Sequence, residues 1–213
     1  MNISDRTSIV LVEQQIPIGR SFLTEEERKI FLDTILTKEQ KEKERKENEG
    51  FILDNIGDNL KGHERTGWYL HEDEDFKHCF DNLKNILDET TFTMACHPSI
   101  HGSFDNIYHE IIILESWFAR SRQNAHTSPP NHGNFNGVFA FTCYLQLPNK
   151  NTTLTFARSD LSYQKTIHAR EGDILIFPAN MAHWSFGLEE ERSLVSGNFI
   201  FSVRKHEDED EEN

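Results

Sequence analysis

The sequence predicts a mainly β protein with N-terminal helices, a jelly roll, on three observations. The second half is built of short β-rich runs separated by polar turns at fairly regular intervals, the pattern of sandwiches and barrels. The first half instead places apolar residues at helical spacing. No apolar run approaches the roughly 18 residues that cross a bilayer, and 16 phenylalanines supply bulky core material within 213 residues. That length suits one domain with a sizeable core. We expect the domain over 1–205, with a helical buttress over about 20–90 and an acidic, disordered tail at 206–213.

Residues 7–16 are rich in β-branched side chains and predict a strand. Thr24-Glu25-Glu26-Glu27 is a capping-box pattern with acids in the first turn, and Ile30, Phe31, Ile35 and Leu36 continue it at helical spacing. This helix should fray over 38–49, where charges alternate and apolar residues vanish, and stop at Gly50. Residues 50–71, interrupted by Gly57, Gly62 and Gly67, predict loops with short extended pieces. Phe76, Phe80, Leu83 and Leu87 then predict a second amphipathic helix over 74–89. Strands follow near 91–96, 107–120, 135–147, 152–158, 164–170, 173–178, 182–187 and 192–203, eight in all, with neither repeat nor interdomain linker.

Composition limits the function classes. The net charge of -14 opposes binding to a nucleic-acid backbone. A mean hydropathy of -0.63 and the lack of a basic-then-apolar start predict a cytoplasmic protein rather than a membrane or secreted one. Cys79, Cys96 and Cys143 form no Cys-x-x-Cys pair, so neither a disulfide framework nor a zinc knuckle is expected. Asn151-Thr152-Thr153 matches a glycosylation acceptor by chance. The sequence also lacks a phosphate-binding glycine loop, a dinucleotide fingerprint and a Gly-x-Ser-x-Gly elbow.

One constellation carries chemistry. Gly172-Asp173-Ile174-Leu175-Ile176-Phe177-Pro178 leads through a turn to His183, and Arg192 follows nine positions later on the next strand. An imidazole at a strand end with an arginine on the neighbouring strand suits an iron site beside a pocket for a dicarboxylate. Strand alternation puts Arg192, Leu194, Ser196 and Asn198 on one face and Ser193, Val195, Gly197 and Phe199 on the other. Both sets are mixed, so alternation does not say which face points inward. A second metal ligand could come from His126 or His132, in the loop before the strand that begins near Phe135, and Asp160 could add a carboxylate.

In order and spacing, Trp117, His132, Gly137-Val138, Pro148, Glu171-Gly172-Asp173, Phe177-Pro178, His183, Arg192, Ser196 and Asn198 resemble the 2-oxoglutarate- and Fe(II)-dependent oxygenases of bacteria and their phages. The resemblance covers roughly residues 107–203. It implies a double-stranded β-helix of cupin-like form and a non-haem dioxygenase that hydroxylates a small-molecule or peptide substrate. Fe(II) would be held by two histidines and usually one carboxylate, and chelated by 2-oxoglutarate. Carried onto this chain, it implies His132, Asn134 and His183 at the metal and Arg192, Ser196 and Asn198 at the cosubstrate. Asn134 or a water takes the place of the acid in the usual His-x-Asp, because the chain reads His132-Gly133-Asn134. Leu194 stands where those oxygenases have a serine, and Phe139-Ala140 where they have a tyrosine pair. Two other readings stay open, a catalytically inactive jelly-roll binding or structural module and a cupin-like metal enzyme that does not use 2-oxoglutarate.

Overall fold

The computed structural model describes residues 6–12, 16–45, 53–54, 63–67, 69–95, 108–121, 139–147, 152–157, 164–185 and 191–203. The chain opens with a hairpin, β1 (Ser8–Val12) and β2 (Ile16–Phe22), where the sequence predicted one strand, and passes into helix α1 (Glu25–Arg45). Short strands β3 (Leu53–Asp54) and β4 (His63–Arg65) precede helix α2 (Lys77–Ala95). The β-rich half supplies β5 (Tyr108–Ser121), β6 (Phe139–Gln146), β7 (Thr153–Ala157), β8 (Gln164–His168), β9 (Asp173–Pro178), β10 (Ala182–Trp184) and β11 (Arg192–Val203).

These strands form two antiparallel sheets, one in the order β1-β2-β9-β6-β11-β5-β4-β3 and one in the order β10-β7-β8, which face each other as a jelly roll. Two apolar layers hold it together. On the outer face of the large sheet, Phe31 and Ile35 of α1 and Phe80, Leu83, Ile86, Leu87 and Met94 of α2 pack on Phe141, Cys143, Ile174, Ile176, Val195 and Phe199. Between the sheets lie Ile18, Ala140, Tyr144, Leu154, Phe156, Ile167, Leu175, Phe177 and Leu194. Strands β6 and β9 therefore send alternate side chains into two cores, which is why they read as nearly unbroken apolar runs. The Phe31 and Phe80 rings meet edge-on at 5.7 Å, an arrangement that adds to their burial.

The strand expected near 91–96 is instead the end of α2, which runs to Ala95. Threonines at 90, 91 and 93 favour strands in isolation, but tertiary packing overrides that preference. Thr90 and Met94 continue the buried stripe of Leu83, Ile86 and Leu87 onto β2. The hydroxyls of Thr90 and Thr93 bond back to the carbonyls of Ile86 and Glu89 at 2.7 and 2.9 Å, satisfying themselves within the helix. The buttress is also not purely helical, since β3 and β4 between its helices extend the large sheet. Among the described residues no helix is long and apolar enough to cross a membrane.

Two sequence signals fold as read. Thr24 caps α1, its backbone N–H donating to Glu27 Oε2 at 2.6 Å while its hydroxyl accepts from the Glu27 N–H at 3.3 Å. Burial acts to raise the Glu27 pKa, but hydrogen bonds from Thr24, Arg6 and Asn82 outweigh it and hold the carboxyl below its ordinary 4.5. A carboxylate depressed in the folded state stabilises above its unfolded pKa, and that contribution is lost as pH falls through the folded value. Glu27→Ala, which removes that carboxylate, should therefore cost about 1 kcal/mol at neutral pH. In urea titrations the gap from wild type should narrow as pH drops below 4.5.

Glu171-Gly172-Asp173 forms the turn into β9. Gly172 adopts φ +85, and a Cβ there would lie 2.8 Å from the Leu23 carbonyl oxygen, so only glycine fits. Asp173 accepts from the Arg170 N–H at 2.7 Å and from Arg20 at 2.5 Å. This motif fixes where β9, and the turn behind it, enter the molecule.

Candidate functional site

The turn after β9 moves the chain from one sheet to the other. The Met181 N–H closes it on the Pro178 carbonyl at 3.0 Å, and β10 then pairs with β7, His183 opposite Phe156. The imidazole lies between the sheets, edge-on to Phe177 at 4.6 Å and tilted against Phe156 at 6.2 Å. Its Nδ1 is 2.9 Å from the Met181 carbonyl oxygen, which can only accept. Nδ1 therefore carries the proton, and in the neutral ring the lone pair sits on Nε2. A backbone carbonyl holding one ring nitrogen is the usual way a ligating histidine is oriented.

Arg192 begins β11, opposite Ser121 of β5, and is buried, with 4% of its surface exposed. Its Nε donates to Ser121 Oγ at 3.2 Å and one terminal nitrogen donates to Ser185 Oγ at 2.6 Å. Ser185 is two residues beyond His183, so about 7 Å of extended chain links the arginine's partner to the imidazole. Two of the guanidinium's five donors are thus used. The other three have no partner among the described residues, and no described carboxylate lies within ion-pair distance. Burial pulls the Arg192 pKa down and Tyr144 partly offsets this, yet an arginine stays charged at any ordinary pH. Burial pushes the Tyr144 phenol up to about 12, against the pull of Arg192, so it is neutral and can donate. A buried cation held by two hydroxyls, with a neutral phenol near enough to feel its charge, is a ready receptor for a carboxylate.

The ambiguity of the β11 faces resolves here. Leu194 belongs to the layer between the sheets, whereas Val195 and Phe199 belong to the layer under the helices. Arg192, Ser196 and Asn198 consequently point into the same interior as His183. Ser196 Oγ lies 3.0 Å from Thr142 Oγ1 on β6, and Asn198 donates from Nδ2 to Glu115 Oε2 at 3.0 Å. Trp117, half-buried on β5, is the cross-strand neighbour of Ser196.

His132 and Asn134 lie outside the described residues, as do His126 and Asp160. Among the described residues no group of three His, Cys, Asp or Glu side chains could hold a metal, and His183 is the predicted ligand they include. The sequence reading missed Ser121, Tyr144, Ser185 and Glu115. Ser185 follows His183 at the two-residue spacing of one strand face, a signal that was present; the other three depend on strand pairing.

No protein-family model and no curated protein matches the chain. Solved structures do resemble it in fold. A prolyl-4-hydroxylase from Pseudomonas putida superposes with a TM-score of 0.56 at 13% identity, over 89% of this chain and 94% of that one. A prolyl hydroxylase from Trichoplax adhaerens, solved with a peptide fragment of the hypoxia inducible factor oxygen degradation domain, gives 0.59 at 10% identity over 89% and 84%. The viral collagen prolyl hydroxylase of Paramecium Bursaria Chlorella virus-1, solved as its 2OG complex, gives 0.52 at 11% identity over 85% and 94%. At these identities the likeness establishes the jelly roll and nothing finer.

Proposed function

We propose that the chain is a non-haem Fe(II)- and 2-oxoglutarate-dependent dioxygenase that hydroxylates a small-molecule or peptide substrate. The observation that carries this reading is Arg192, a buried cation without a described carboxylate partner, facing the same interior as an oriented histidine. An uncompensated buried charge is costly, and a bound carboxylate would supply the missing counter-charge. The fold shared with prolyl hydroxylases, one of them solved with 2OG, supports the same reading.

In this proposal Arg192 and Tyr144 hold the distal carboxylate of 2-oxoglutarate, with Ser121 and Ser185 fixing the guanidinium. Ser196, paired with Thr142, lies further along the same strand face. His183 through Nε2, His132, and Asn134 or a water would hold Fe(II). When bound, the metal and cosubstrate supply the activation of O2. The remaining work is the chain's own: Phe177 and Phe156 confine the imidazole, and the two sheets exclude water from the cosubstrate. We also propose that residues 1–205 act as a single domain.

His183→Ala should abolish saturable Fe(II) binding, followed anaerobically by quenching of tryptophan fluorescence, while the circular dichroism stays that of wild type. Unchanged Fe(II) affinity in this variant would remove His183 from the metal. Asn134, an amide at the position of an acid, favours one alternative, a jelly-roll module that keeps the carboxylate receptor without a metal. That module would bind 2-oxoglutarate with or without Fe(II) at equal affinity.

A further inference from the structure

Asn198 is 5% exposed, and among the described residues its hydrogen-bond partner is Glu115 alone. The two are cross-strand neighbours on β11 and β5, both facing the space between the sheets, in line with Ala140 on β6 and Phe177 on β9. The Phe177 ring in turn carries His183. A carboxylate accepts and cannot donate, so the Glu115 contact fixes the orientation of the amide. Nδ2 turns to Glu115, leaving Oδ1 and the second N–H without a partner among the described residues. Oδ1 is not among the fully buried, unsatisfied side-chain atoms of the described residues, so it stays within reach of a ligand.

Asn198 is badly placed to serve the cosubstrate. It lies six positions beyond Arg192, about 20 Å along the strand. The Arg192 guanidinium is kept near its own end by Ser121, its cross-strand partner. A five-carbon diacid spans about 6 Å, and one docked on Arg192 ends well short of Asn198.

We infer that Asn198 is a specificity residue that recognises an amide group of the substrate, held in register by Glu115 as its positioning residue. The unused acceptor and donor of Asn198 match the N–H and carbonyl of an amide. The same pair could meet an adenine edge, but a net charge of -14 opposes a polynucleotide. Glu115 is itself steadied by the half-buried Arg65 on β4, whose charge it offsets. The inference rests on the oxygenase reading in treating the occupant of this end as substrate.

The test is an NMR titration of the whole chain, without iron or 2-oxoglutarate, using acetamide and its ester analogue methyl acetate as probes. The side-chain amide of Asn198 and the methyl of its neighbour Ala140 report binding. Acetamide should shift both saturably, and methyl acetate, which has no N–H, should bind at least fivefold more weakly. Asn198→Ala should lose the saturable shift of Ala140, and Glu115→Gln should weaken acetamide at least threefold. Equal shifts from both probes in wild type would overturn the inference without recourse to any variant, as would adenosine binding where acetamide does not. Because neither metal nor cosubstrate is present, failure here leaves 2-oxoglutarate binding to be judged separately.

Discussion

Arg192→Met should bind 2-oxoglutarate at least about 25-fold more weakly than wild type and should unfold at a higher temperature. The first half follows from charge. Removing one member of a desolvated, hydrogen-bonded ion pair costs about 2–5 kcal/mol, and about 1.4 kcal/mol is a tenfold change in affinity. The second half follows from the ligand-free state, in which Arg192 is 4% exposed and no described acid balances it. The variant gives up two bonds to serine hydroxyls. It escapes the desolvation of an uncompensated cation; even a buried ion pair replaced by apolar side chains of similar volume is often neutral or more stable by about 1–4 kcal/mol, and an unpaired cation has less to lose. Isothermal calorimetry with 2-oxoglutarate and a thermal melt of the same sample measure both. A binding residue kept at the expense of stability moves the two readouts in opposite directions. An arginine that only braces the fold would lower the melting temperature and leave 2-oxoglutarate affinity untouched.

Gly197→Ala should destabilise the fold by more than about 3 kcal/mol, the upper range for overpacking a filled interior. A Cβ at position 197 would collide with the Glu115 backbone oxygen and come within 2.6 and 2.8 Å of two carbons of the Phe141 ring. Strand β11 cannot slide away, because it is hydrogen-bonded to β5 on one side and β6 on the other. The ring cannot retreat either, since Phe141 is 1% exposed beneath the helices and packs on Phe199 at 6.3 Å. Any shift that did accommodate the methyl would move Ser196 and Asn198, the residues on either side. Urea unfolding measures the loss. A change below about 1 kcal/mol would mean that β11 is not clamped as described.

Much of this was legible in the sequence. The bounds of β9 and β11 match their predicted ranges, because Gly172 and Pro178 punctuate one and the charged run before Arg192 opens the other. The α1 cap was readable because a capping box is a local arrangement of four residues. What failed was non-local. The end of α2 carries strand-forming residues and is helical because Thr90 and Met94 pack on β2, a contact about 70 residues away in sequence. The inward face of β11 could not be chosen because both faces are buried, and only the pairing with β5 and β6 separates the two cores. For the same reason His183 and Arg192 stood out as spaced residues, whereas Ser121, Tyr144 and Glu115 join them only through strand register.

In the proposed enzyme one interior holds both a metal and the cosubstrate that chelates it. An anaerobic titration of the chain with Fe(II) and 2-oxoglutarate, watched for the visible charge-transfer band of the chelated complex, tests it directly. The band should appear only with both ligands present, vanish in His183→Ala, and require far more 2-oxoglutarate in Arg192→Met. Iron and 2-oxoglutarate that bind independently, with no band in wild type, would contradict it.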